Sequence, residues 1–190
     1  MSLLIKIRNM KFHKLKLAGA YVVELEPLED SRGFFARAFC ENEFAAAGIP
    51  FKVSQMNISS NRHKGTLRGL HYQLGDAAED KFVRCIRGGI VDVIVDVRPG
   101  SATFLEHEMV ELDERNRKAI LLPKGFAHGI QTLSDESQVL YLASAPYAPK
   151  FERGLRWNDP RLGIRWPLEP AVISEKDQAL PDFDPAYHLK

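Results

Sequence analysis

The chain has 190 residues, of which 45% are hydrophobic and 27% charged, and its formal net charge is +1. That length suits one domain, residues 1–190, with a substantial core; the near-neutral balance excludes a globally basic nucleic-acid binder and offers no electrostatic reason for membrane attachment. Two cysteines, Cys40 and Cys85, cannot make a disulfide framework and predict buried free thiols in a reducing, cytoplasmic setting, and no apolar run reaches the length of a membrane span.

The opening stretch "MSLLIKIRNMKFHKL" lacks a continuous signal-peptide core, and Met1–Leu3 reads as a cloning remnant. "AYVVELEP" and "GFFARAFC" then read as strands, followed by about two helical turns in "ENEFAAAGIP", where Gly48 stands as a C-cap and Pro50 blocks continuation. "KVSQMNIS", "TLRGLHYQ" and "KFVRCIRG" read as further strands. In "GGIVDVIVDVRPGS", Val91, Val93, Val95 and Val97 alternate with Asp92, Ile94 and Asp96 up to a Pro-Gly turn, and alternation resumes from Phe104 to Leu112. "AILLPKGFAHGIQTLSDESQVLYLAS" predicts three short strands broken at Pro123-Lys124-Gly125 and Ser134-Asp135-Glu136. From Arg156 the Pro- and Trp-containing tail reads as irregular chain wrapping the domain, with one more helical turn in "SEKDQAL". Many short strands with turns between them indicate a β-sandwich or barrel rather than βαβ units.

The unusual feature is the number of polar residues on these strands. Gln55 and Asn57, two apart, project from one face. Arg68 and His71, three apart, would face oppositely unless Gly69 hosts a bulge. Lys81, His128 and Tyr141 sit on three further strands, and a small barrel has room for one ligand lined by such groups. Taken singly each has a plain structural explanation: a hydrogen-bonded histidine, a solvated lysine, a core tyrosine. Asp177 completes Ser174-x-x-Asp177, a helix capping box. "PKGFAH" fits half of a metal-binding cupin motif, but the other half should read H-x-H and here is His71-Tyr72-Gln73. Fewer than three good ligands remain, which predicts neither a metal nor another cofactor.

The ordered set "DSRGFF", "SQMNIS", "GTLRGLHYQ", "KFVRCIRG", "VDVIVDVRPGSATF", "LPKGFAHG", "LYLASAPYAP", "GLRWNDPRLGIRWP" and "SEKDQALP" resembles the dTDP-4-dehydrorhamnose 3,5-epimerase family from about Val22 to Leu180. The resemblance implies an all-β, cupin-type double-stranded β-helix (a jelly-roll barrel) with a few short helices, acting as a homodimer without metal on a nucleotide-sugar substrate. It implies His71 as general base, Asp177 as the carboxylate that orients it, Tyr141 as proton donor with Tyr147 nearby, and Lys81 at the substrate carbonyl oxygen. Arg32, Gln55, Asn57, Arg68, His128, Glu152 and Lys176 match substrate-contacting positions.

These residue types suit inversion beside a ketone. An imidazole, with an ordinary pKa of about 6.5, can take a proton at cellular pH; an ammonium can meet the enolate oxygen, and a phenol on the opposite wall can return a proton. One position departs from the family: five residues after the arginine of "RGFF" it usually carries Glu, and here stands Arg37. In the family this segment, Arg32–Arg37 here, exchanges into the neighbouring subunit's site, so Arg37 is expected to favour a phosphate or base acceptor. A single-centre epimerase, an enzyme of another nucleotide sugar, and more distantly a metal-dependent or sugar-binding cupin remain as alternatives.

Overall fold

Alternating strands bury their apolar faces only when another layer covers them, and in the computed structural model two sheets cover each other. Residues 9–190 are described; the Met1–Leu3 remnant and the first part of the stretch read as lacking a signal core lie outside them. The chain forms β1 (Lys11–Lys14), β2 (Tyr21–Glu24), β3 (Leu28–Asp30), β4 (Gly33–Phe35), α1 (Glu41–Ala46), β5 (Gln55–Asn61), β6 (Thr66–Gln73) and β7 (Lys81–Arg87). Then come β8 (Gly89–Asp96), β9 (His107–Asp113), β10 (Ala119–Leu122), β11 (Phe126–Thr132), β12 (Ser137–Ala143), β13 (Glu152–Gly154), β14 (Val172–Ile173), α2 (Glu175–Gln178) and α3 (Pro185–His188). One sheet runs β1-β2-β10-β7-β12-β5; the other runs β13-β6-β11-β8-β9 with β14 beside β6, and β3-β4 is a separate hairpin. This is the expected all-β, cupin-like architecture with a few short helices. Among the described residues no helix is long and apolar enough to cross a membrane.

Three apolar clusters explain why both faces of each sheet can be hydrophobic. Between the sheets lie Val83 and Cys85 of β7, Ile90 and Ile94 of β8, Phe126 and Ile130 of β11, and Val139 of β12. Outside the second sheet, Val91, Val93 and Val95 pack with Leu70 and Tyr72 against Leu155, Leu162 and Phe183 of the tail. Outside the first sheet, Phe82, Leu121 and Leu142 are covered by Phe44 of α1 and by Phe51, the Phe44 and Phe82 rings meeting edge-on with centroids 5.2 Å apart. β8 is therefore buried along its whole length, and the alternation of valine with aspartate does not mark a solvated face.

Several expectations change. The strand expected over "GFFARAFC" ends at Phe35, because Arg37 and Phe39 turn back to Glu43 and the aromatic cluster. The alternation expected from Phe104 begins as a strand only at His107, after a turn in which Leu105 takes φ +63. β1, β13, β14 and α3 are short elements without a periodic signal, and the last two lie inside the tail expected to be irregular. Cys85 is buried, with burial pushing its thiol up to about 11, whereas Cys40 is only half-buried.

Candidate active site

A regular β6 would send Arg68 and His71 to opposite sides of its sheet. Opposite β11, however, His71 pairs with His128 and Arg68 with Ile130, so three steps on β6 match two on β11. Gly69 permits this bulge: its φ is +104, and a Cβ there would stand 2.6 Å from the His128 carbonyl oxygen. The two side chains consequently line one cavity of about 450 Å3.

α2 brings in the carboxylate. The Ser174 hydroxyl accepts from the Asp177 N–H at 3.1 Å, so half of the capping box forms. The Asp177 carboxylate does not complete it; one oxygen lies 2.7 Å from His71 Nε2 and the other accepts from Gly69 N–H at 3.3 Å. Burial alone would push this carboxyl up, but its bonds to His71, Gly69 and Ser174 hold it below the usual carboxylate range. An ionised carboxylate only accepts, so the bonded imidazole nitrogen carries a proton, and it is the other nitrogen that holds the lone pair whenever the ring is neutral.

A second cavity of about 370 Å3 adjoins the first, and His71, Lys81 and Tyr141 line both. Tyr141, on β12, is half-buried; burial, with Glu79 adding to it, raises its hydroxyl pKa, while Arg68 acts the other way. Lys81 opens β7 with its side chain only 12% exposed and its ammonium 3.1 Å from Glu79. It is not a solvated strand charge. On β5, Gln55 and Asn57 turn inward while Met56 and Ile58 turn out. Asn57 Nδ2 is buried with no hydrogen-bond acceptor among the described residues, a donor left over beside the cavity it lines.

The rim is a chain of polar contacts. Tyr147 donates its hydroxyl to Glu152 at 2.9 Å, and Lys176 holds both Glu152 oxygens at 2.8 and 2.7 Å. Burial would raise the Glu152 carboxyl, yet Lys176 and Tyr147 hold it below the usual range. Gln55 accepts from Tyr147 N–H, and Gln73 ties the same loop through Ala148 N–H and the Pro146 carbonyl. Arg68 is steadied by a 2.6 Å bond to Asn61.

The fold thus gathers His71, Asp177, Tyr141, Lys81, Gln55, Asn57, Arg68, His128, Tyr147 and Glu152 around the two cavities, with Lys176 attached through Glu152. Arg32 stands apart at the β3-β4 turn, its side chain 85% exposed and paired with Asp30. Within its own chain Arg37 pairs with Glu43 at 2.6 Å, and the other Glu43 oxygen accepts from Met10 N–H. Sequence reasoning passed over Glu79, Asn61, Gln73 and Asp92, the last fully buried and 2.9 Å from His128 Nε2. Two signals were available: Glu79 stands two residues before Lys81, hence on its side of an extended chain, and Asp92 interrupts an apolar strand. Among the described residues no three His, Cys, Asp or Glu side chains converge as a metal ion would require.

The family model for dTDP-4-dehydrorhamnose 3,5-epimerase matches residues 14–185. A dTDP-4-dehydrorhamnose 3,5-epimerase of Methanothermobacter thermautotrophicus is 43% identical over 173 residues, covering 90% of this chain and 92% of its own. Among solved structures, the enzyme of that name from Elizabethkingia anophelis superposes with a TM-score of 0.89 at 37% identity, covering 93% of this chain and 97% of its own. ChmJ, a 3'-monoepimerase from Streptomyces bikiniensis solved with dTDP-quinovose, gives 0.84 at 37% identity, covering 90% and 86%.

Proposed function

The chain belongs to the dTDP-4-dehydrorhamnose 3,5-epimerase family, and from that premise we propose that it is a single-domain isomerase inverting carbons 3 and 5 of dTDP-4-dehydro-6-deoxy-D-glucose to give dTDP-4-dehydro-β-L-rhamnose. The observation that carries this reading is the wall shared by the two cavities, where an imidazole backed by a carboxylate, an ammonium and a protonated phenol meet. His71 removes the proton from a carbon beside the C4 ketone. The electron pair moves onto the C4 oxygen, where the Lys81 ammonium stabilises the enolate. Asp177 stabilises the imidazolium that results. Tyr141 then protonates the carbon from the opposite face and the ketone reforms; once the imidazolium has released its proton to solvent and the Tyr141 phenolate has regained one, the same cycle serves the second carbon.

Arg68, His128, Gln55, Asn57, Tyr147, Glu152 and Lys176 bind the substrate around this wall, and the orphan Asn57 amide donor takes a ligand oxygen. Arg32 serves the site of a second subunit in a homodimer, which explains its distance from the cavities of its own chain. Support for that assembly lies in apolar surface that has no cover: Phe34 and Phe35 of the hairpin, 51% and 58% exposed, and Met56 and Ile58 on the edge strand β5, 64% and 65% exposed. A single-centre reaction is the second reading, favoured by the likeness to ChmJ.

The test is incubation with dTDP-4-keto-6-deoxyglucose in D2O, following each carbon by NMR. Deuterium at both C3 and C5 with inverted product is the expected result. Deuterium at C3 alone would establish the single-centre reading, and none at either carbon would refute both.

A further inference from the structure

Three consecutive residues before and at the start of β7, Glu79, Asp80 and Lys81, divide their side chains between two sides of an extended chain. Asp80 faces away from the cavities and is bolted down: its carboxylate accepts from Lys124 N–H at 3.0 Å and from the Ser144 hydroxyl at 3.1 Å, and its own N–H donates to that hydroxyl at 2.8 Å. Three segments are joined there: the approach to β7, the β10–β11 turn and the end of β12. Glu79 and Lys81 flank this anchor and face the other way, both nearly buried, with 3.1 Å between carboxylate and ammonium.

We propose that Glu79 is a positioning residue: through its ion pair it fixes the Lys81 ammonium on the shared wall beside His71, and it holds a negative charge facing Tyr141. This rests on the epimerase reading given above. A lysine has four rotatable bonds and many conformers, and a reaction that needs its head group at one point loses rate when that head group wanders. The Glu79 carboxylate, carried on backbone that Asp80 immobilises, removes that freedom before substrate arrives. Its charge also disfavours a phenolate at Tyr141, keeping the hydroxyl in the form that can give a proton. The other charged and titratable groups facing Tyr141 are Arg68 and His71 on β6, Lys81 on β7, His128 on β11, Glu152 on β13 and Asp177 on α2, with Tyr147 beyond them. Of these, Arg68 pulls Tyr141 toward ionisation, so Glu79 is the opposing charge.

The test is Glu79→Gln, which keeps shape and an acceptor oxygen while removing the charge. Two quantities are read: steady-state constants with dTDP-4-keto-6-deoxyglucose, and the Tyr141 ionisation in substrate-free protein by phenolate absorbance, isolated by subtracting matched Tyr141→Phe proteins. Expected are a kcat about 10- to 100-fold lower with KM within about twofold, and ionisation of Tyr141 at lower pH. In a protein whose wild type turns the substrate over, an unchanged kcat or an unchanged Tyr141 ionisation overturns the proposal. If the wild type is inert, the epimerase reading fails instead; the absorbance titration, which needs no substrate, still decides whether Glu79 acts on Tyr141.

Discussion

His71 and His128 are direct partners across β6 and β11, and each engages a different carboxylate through Nε2, Asp177 at 2.7 Å and Asp92 at 2.9 Å. The two pairs differ in what the carboxylate has besides histidine. The Asp177 carboxylate also accepts from the Gly69 N–H, whereas Asp92 is fully buried and its second oxygen has no partner among the described residues. His128→Ala therefore strands a buried carboxylate and is expected to destabilise by about 3–5 kcal/mol. Replacing both residues by leucine should recover much of that loss in chemical denaturation. Equal stability of His128→Ala and the wild type would contradict the argument.

His71→Ala should leave a folded protein that exchanges no substrate deuterium at any centre, with a rate loss of at least about 10²- to 10⁴-fold, because no other imidazole in the two cavities is backed by Asp177. Asp177→Asn should lower kcat steeply with little change in KM. Ser174→Ala offers the control: it removes the helix cap at a cost of about 1 kcal/mol and leaves the carboxylate in place. If the two variants had the same kinetics, Asp177 would be a capping residue only.

Tyr141→Phe keeps the ring packing and deletes the hydroxyl, so stability should change little. His71 can still remove a proton and return deuterium to the original face. Exchange should persist in D2O while inverted product falls. Exchange and inversion lost in equal measure would transfer the donor role to Tyr147.

Acid stability should be governed in part by Asp96. It is fully buried, and although burial would raise its carboxyl, Arg98, Ser101 and Thr103 bring it down to about 2, below the usual carboxylate range. A folded-state value below the unfolded one stabilises above the unfolded pKa, and the contribution is lost as pH falls from about 4 to about 2; the difference amounts to roughly 2–3 kcal/mol. Denaturation midpoints of wild type and Asp96→Asn should differ most at pH 7 and converge toward pH 2. A constant gap across that range would remove Asp96 from the account.

Arg37→Glu would set two carboxylates together where Arg37 and Glu43 now pair, and would loosen the Met10 N–H contact on the same side chain. The expected outcome is a lower Tm, lower than that of Arg37→Gln, with the order of affinities for dTDP-, UDP-, CDP- and GDP-linked 4-keto-6-deoxy sugars unchanged. A reordered preference would restore Arg37 to a ligand site.

Much of the barrel was legible along the chain because strand periodicity is a local property: two residues decide which side a third faces. The pairs Gln55 with Asn57 and Val91 with Val93, and the Gly48 helix stop, follow from neighbours a few positions away. The resemblance in ordered motifs also carried the residue types of the site. What no local rule could supply was which groups meet across long separations. The sequence favours a capping box at Asp177 because its nearest partner is Ser174; the fold sends the carboxylate to His71, 106 residues away, since the bulge at Gly69 and the tail packed on β6 leave it no solvent to face. Likewise nothing in the sequence near Arg37 announces its pairing with Glu43, which α1 offers by folding back, and Lys81 reads as solvated until the two sheets close over it and Glu79. Sequence set the directions of the side chains; closure of the barrel removed water from between them and so decided which charges had to pair.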